Sequence, residues 1–230
     1  MAKPVALIVG VGDGLSASLA RLLTRDGYVV ALAARNAAKL QGLAAEIEGH
    51  GFAVDAGDAD QVAALFDAVD ARLGVPQVVV YNASGRERGP LVTLNPAAVA
   101  QAITVSAFGG FLVAQQAARR MEPLGRGVIL LTGASASVKG YAQSAPFAMG
   151  KFALRGLAQS IARELAPKGI HVAHIIIDGA IRSAARLDPV ERPDSTLDPD
   201  AIAESYVNLI NQPRNAWTWE IELRPWVETF

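Results

Sequence analysis

Short, unbroken apolar runs alternate along this chain with longer stretches in which apolar residues recur every three or four positions. Val5 to Val9, 28–34, 77–81, 128–131 and 170–177 are such runs, each followed within two residues by Gly, Asn or Asp, and 52–55 is a shorter one. A strand buried on both faces leaves this signature, because neither face has to stay polar. The intervening stretches predict helices over 15–25, 37–48, 59–73, 147–165 and 199–210. Another helix begins at Pro96, and a longer one carries Phe108, Phe111, Leu112 and Gln115 towards Met121. Asn36, Asp58, Asn95 and Asp198 stand where an N-cap belongs, the last two followed by proline at the first helical position. The residues at 217–223 alternate as a final strand, with Trp217, Trp219, Ile221 and Leu223 on one face and Trp226 and Phe230 beyond it. Strands alternating with helices predict an α/β fold: a Rossmann-like doubly wound parallel sheet in three layers, forming a single domain over residues 1–230.

One segment, 127–167, fixes both a fold position and a chemical position. An apolar strand gives way to a polar loop over 132–143, and the helical stripe Phe147, Lys151, Leu154, Leu157, Ile161, Leu165 follows until Pro167 and Gly169 stop it. Lys151 is out of place on that stripe, since a lysine among apolar residues either snorkels outward or serves a site. The carboxyl ends of parallel strands are where open α/β sheets bind ligands. Near the first strand, Gly10, Gly12 and Gly14 precede a helix, an arrangement that lets backbone approach a phosphate held at a helix N-terminus. It does not match Gly-x-Gly-x-x-Gly, because Leu15 occupies the last position, and a tight turn without ligand remains open.

Composition narrows the partners. A net charge of -1 and the lack of a basic run argue against nucleic acid. The chain has no cysteine, so thiolate chemistry is excluded, and His50, His171 and His174 are too scattered for a metal site. His171 and His174 would face opposite sides of one strand and read as structural. The run at Val5 is too short for a signal peptide or membrane span, which makes a cytoplasmic protein with no membrane partner the default expectation.

These residues resemble the short-chain dehydrogenase/reductase family over nearly the whole chain. Val9 to Ser16 is similar to its glycine loop, with the opening Thr and final Gly replaced, and Asn82-Ala83-Ser84-Gly85 is similar to its Asn-Ala-Gly turn. The resemblance implies cofactor contacts at Gly10, Gly12, Asp13, Gly14, Leu15, Arg35, Asp55, Asn82, Ala83, Lys151, Gly179 and Ser183. It also places the family's Tyr-x-x-x-Lys on Phe147 to Lys151, its serine on Ala134 and its asparagine on Ser106. Lys151 is thus kept while the phenol, which in the family exchanges the proton, is gone. Ser135, Ser137 and Tyr141 are the candidates for a replacement hydroxyl from the same loop.

Where family members that prefer NAD carry an acid, this chain has Ala34 followed by Arg35, which suits the 2′-phosphate of NADP. Asp13 argues the other way and keeps NAD open. The short, Pro- and Asp-rich segment 187–198 falls where the family has its substrate loop. Two functions follow from the resemblance. One is an NAD(P)-dependent oxidoreductase acting on a small carbonyl or alcohol with altered catalysis. The other is a non-catalytic dinucleotide-binding sensor or scaffold subunit. A homodimer or homotetramer is expected, with the C-terminal tryptophans as the interface.

Overall fold

The apolar runs become the strands of one sheet: β1 (Val5–Val9), β2 (Val29–Ala34), β3 (His50–Ala53), β4 (Val78–Tyr81), β5 (Gly127–Thr132), β6 (Ile170–Ile177) and β7 (Glu220–Leu223). The computed structural model describes residues 3–183 and 186–228, so Phe230 lies outside the described residues. The seven strands lie in the order β3-β2-β1-β4-β5-β6-β7, all parallel. Every residue of β1, β4 and β6 is buried, which is why their sequences do not alternate.

The helices are α1 (Leu15–Arg25), α2 (Gln41–Glu46), α3 (Ala59–Leu73), α4 (Pro96–Ile103), α5 (Gly109–Met121), α6 (Ala145–Leu165) and α7 (Pro199–Ile210). Leu19 and Leu23 of α1 join Ile202 and Tyr206 of α7 against Ile8, Leu32 and Ile175 on one face of the sheet. On the other, Phe66 of α3, Val113 of α5 and Leu154 of α6 pack against Leu7, Val79 and Leu131. Three of the predicted caps form as read: Asp58 accepts from the amides of Asp60 and Gln61, Asn95 from Ala97 and Ala98, and Asp198 from Asp200.

Four elements differ from expectation. The third strand starts at His50 and stops at Ala53, because Asp55 turns the chain by accepting from the Gly57 amide at 2.9 Å. The helix expected over 37–48 splits into a 3₁₀ turn, Ala37–Leu40, begun by Asn36, and the short α2. The two helices expected after Pro96 run together, joined by a π-helical turn over Thr104–Phe108. That turn presents the Val105 carbonyl to the Tyr81 hydroxyl, which donates to it. An 18-residue window of the joined stretch Pro96–Leu124 reaches a mean hydropathy of 1.8, enough by length and composition alone to cross a bilayer, a test that buried core helices also pass. Ala102, Val113, Ala117 and Met121 of this stretch pack inward, while Phe108 and Phe111 are exposed.

The last difference is at the C-terminus. Here β7 begins at Glu220, not Trp217. Trp217 stacks on His171 with ring centroids 4.9 Å apart and donates from Nε1 to the Gln212 carbonyl, while Trp219 lies over the Arg155 guanidinium. Only Ile221 and Leu223 pack against the α1–α7 side of the core, so the tryptophans do not share their face.

His174 is buried at the centre of a polar network that supports the loop after β5. Its Nδ1 lies 3.0 Å from Glu220, which also accepts two bonds from Arg155 at 2.7 Å, and its Nε2 lies 3.4 Å from the Ser137 hydroxyl. An ionised Glu220 accepts a hydrogen bond from Nδ1–H, so Nε2 is the acceptor for the Ser137 hydroxyl. Burial first, against the opposing pull of Glu220 and with the charges of Lys151 and Arg155 adding to it, pushes the His174 pKa down to about 4. The unfolded chain therefore takes up this proton below about pH 6.5 and the folded chain only below about 4. Stability from this residue is complete above pH 6.5 and is lost as pH falls through 4, by up to about 3 kcal/mol. Urea unfolding between pH 7 and 4 should show this fall, and His174→Gln should flatten it; parallel curves for the two proteins would show that His174 is not its source.

Candidate functional site

The order of strands places a crevice between the carboxyl ends of β1 and β4, where the chain winds to one edge from β1 and to the other from β4. Gly10 makes the crevice possible. Its φ is +93°, and a Cβ at that position would overlap the backbone of Ala83. The Asn82 side chain donates to the Ser16 hydroxyl at 2.6 Å, and Ser16 in turn donates to the Gly10 carbonyl at 3.2 Å, which ties the glycine loop to the end of β4. No side chain caps α1, whose N-cap is Gly14, so its first amides are left for another acceptor.

A cavity of about 640 Å³ opens there, lined among others by Gly10, Gly12, Arg35, Lys39, Asp55, Asn82 and Ala83. Six of the cofactor positions expected from sequence thus come together. Asp13, Gly14 and Leu15 are not among the lining residues. Leu15, the replacement for the last glycine, is buried in the core against α7's side of the sheet, and Asp13 is exposed. Ser183 does not line the cavity either; its backbone pairs in both directions with Arg186, and its side chain is exposed.

A second cavity of similar size, about 640 Å³, adjoins the first and shares Asn82, Ser84 and Arg86 with it. Lys151, Gly179, Ala134, Ser135, Phe147 and Tyr141 line it. Lys151 is only 3% exposed, and its Nζ donates to the Thr132 carbonyl at 2.7 Å. Burial, with the nearby Arg86 charge second, pushes its pKa down to about 7. The Phe147 ring lies between two cations, 5.9 Å from Lys151 Nζ and 4.5 Å from the Arg86 guanidinium. A group titrating near neutrality beside a cavity can give and take a proton there.

The hydroxyls sort differently from their sequence positions. Ser135 and Tyr141 reach the cavity, whereas Ser137 is buried, accepting from the Ala134 amide at 3.1 Å and facing His174. Ser106 lies in the π-helical turn and is also buried, accepting from the Gly85 amide at 3.0 Å. Sequence reasoning missed Arg86, Arg88, Arg186 and Lys39. The first two directly follow the 82–85 turn at a strand's carboxyl end, a position that marks them; Arg186 sits in irregular chain and carried no such signal. Among the described residues no cluster of three His, Asp or Glu side chains is placed to hold a metal.

Fold and crevice together define a doubly wound α/β protein with its ligand site at the switch in strand order. The chain belongs to the short-chain dehydrogenase family, whose sequence profile matches residues 4–188. D-threitol dehydrogenase of Mycolicibacterium smegmatis is 29% identical over 173 residues, which cover 73% of this chain and 66% of that protein. A short-chain dehydrogenase structure from Rhodopseudomonas palustris is 35% identical with a TM-score of 0.84, covering 97% of this chain and 99% of that one. A metagenomic short-chain oxidoreductase crystallised with NADP is 29% identical, also with a TM-score of 0.84, and 98% of each chain is covered.

Gly10 and Gly12 provide a direct check on this geometry. Gly10→Ala should cost about 2 kcal/mol or more, from the positive φ and the overlap with Ala83. Gly12→Ala, with nothing within 4 Å of the added carbon, should leave the urea midpoint nearly unchanged. Equal midpoints for both variants would contradict the close approach of the two loops.

Proposed function

We propose that this chain is an NADP(H)-dependent oxidoreductase for a small carbonyl or alcohol, with Lys151 itself as the proton donor and acceptor. The observation that carries this reading is the buried Lys151 Nζ on the second cavity, titrating near pH 7, where the adjoining aromatic residue is Phe147 and has no proton to give. The uncapped N-terminus of α1 and the open space around Gly12 and Gly14 fit a bound pyrophosphate. Arg35 and Lys39 would take the 2′-phosphate, and Asp13, outside the lining, would not oppose it. When bound, the nicotinamide supplies or accepts the hydride. In the reducing direction Lys151 gives its Nζ proton to the carbonyl oxygen, directly or through the hydroxyl of Ser135 or Tyr141. The NADP complex of the metagenomic relative supports the choice of cofactor.

A second reading, a dinucleotide-binding sensor or scaffold without turnover, is favoured by the absence of a phenol at position 147 and by the Arg86 side chain lying over that ring. Assembly as a homodimer or homotetramer is part of either reading. Phe108 and Phe111, whose rings stack, and Met149 and Phe152 on α6 are exposed apolar residues available for it.

Titration of NADPH and NADH into the protein should give micromolar binding with NADPH the tighter, and Arg35→Ala should reduce that preference about tenfold or more. Preference for NADH would overturn the assignment of Arg35. With a carbonyl substrate, kcat/KM for reduction should fall as pH rises through about 7 and that for oxidation should rise, and Lys151→Met should lower both by about 10²–10⁴-fold. Turnover by Lys151→Met at the wild-type rate would remove Lys151 from the chemistry. If wild type binds NADPH but reduces nothing, while Phe147→Tyr with Ala134→Ser gains activity, the non-catalytic reading holds.

A further inference from the structure

The second cavity has a sign. Arg86, Arg88, Arg186 and Lys151 line it, and among the described residues no Asp or Glu does. Arginines elsewhere in the fold show what these lack. Arg21 is paired with Glu46, Arg120 with Asp67 and Asp70, Arg155 with Glu220, and Arg182 with Asp188 and Asp198. The acid at the end of β6, Asp178, is engaged by Lys139 and Arg224. Among the described residues no carboxylate lies within ion-pair distance of Arg86, Arg88 or Arg186.

These cations are near enough to oppose one another. Burial, and after it the charges of Arg88 and Arg186, lower the proton affinity of Arg86, and Arg86 does the same to Lys151. Arg86, Arg88 and Arg186 are exposed at the rim and Lys151 is buried beneath them, and like charges gathered around one concave surface focus their field into the cleft. The Arg86 guanidinium rests on the Phe147 ring, and among the described residues none of the three arginines has a carboxylate partner. An anion entering the cavity supplies such a partner, and guanidinium forks match carboxylate and phosphate oxygens in geometry as well as charge.

We propose that the second cavity is built for a substrate that carries an anionic group, a carboxylate or a phosphate ester, with Arg88 and Arg186 holding that group while the carbonyl faces Lys151. This rests on the reading of the chain as an oxidoreductase, and it names the substrate class for that site. Arg86 lines both cavities and cannot separate substrate from cofactor; Arg88 and Arg186 line only the second. At about 640 Å³ the cavity has ample room for a small oxo acid or phosphorylated ketone.

The test is calorimetric titration of the full chain, with and without saturating NADPH, using two matched pairs of probes. The first pair is 2-oxobutanoate and its methyl ester; the second is dihydroxyacetone phosphate and dihydroxyacetone. At least one anionic probe should bind tenfold or more tightly than its neutral partner at low salt, and that advantage should shrink as salt is raised. Which pair shows it decides between carboxylate and phosphate. Arg88→Gln with Arg186→Gln should abolish the advantage and leave NADPH affinity unchanged. Equal binding of charged and neutral probes, no binding of any probe, or an advantage that survives in the double variant overturns the proposal. NADPH oxidation measured on the same samples keeps the two readings apart. Charge-selective binding without turnover leaves the anion site standing and removes the hydride-transfer reading, whereas turnover of neutral carbonyls with the anions inert does the reverse.

Discussion

The backbone contact between Gly10 and Ala83 is the constraint on which the rest of the site depends. Neighbouring strands β1 and β4 can lie in one sheet only if the loops leaving their ends clear each other, and a side chain at position 10 would fill the space that Ala83 occupies. With that space free, Asn82 reaches Ser16, α1 starts with its amides uncapped, and the crevice opens at the point where the winding of the chain reverses. Leu15 shows how the loop tolerates the loss of a further glycine. Its side chain turns into the core between sheet and helices, away from the crevice.

Next to that crevice, the chain keeps a lysine where the surroundings disfavour a charge. A buried ammonium is costly unless it is bonded, and the Thr132 carbonyl at the end of β5 supplies one acceptor. The loop behind it is held from below, since Gly133 leaves room for the His174 ring and Ser137 links that ring to the Ala134 amide. Strand β6 reaches the site directly through Ile177 and supports the loop through a network that ends on Glu220 and Arg155. Burial first, and the Arg86 charge across the Phe147 ring second, lower the proton affinity of Lys151, and Arg86, Arg88 and Arg186 together give the cleft its sign.

Much of this was legible in one dimension. The strands at 5–9 and 170–177, the helix begun by Asp198 and Pro199, and the odd lysine on the α6 stripe all follow from spacing and capping, which are local. The failures have a common cause. Trp217 alternates correctly with Trp219 and Ile221, but His171 and Gln212 offer it better contacts than the sheet does, so the strand begins three residues later. Ser137 and Ser135 are equivalent by sequence, and only the position of His174 on another strand sends one inward and leaves the other at the cavity.

By itself, then, the sequence determined the order of elements, the parallel sheet, the glycine loop and the kept lysine, because apolar period, caps and turn residues act over a few positions. Which side chains share a cavity was decided by the tertiary structure alone. Arg86, Arg88 and Arg186 lie about a hundred residues apart in two groups and read as ordinary surface charge until the sheet brings the ends of β4 and β6 to one side. The field of that cleft depends on distances across the fold and on the absence of a nearby carboxylate among the described residues, and neither is a property of local sequence.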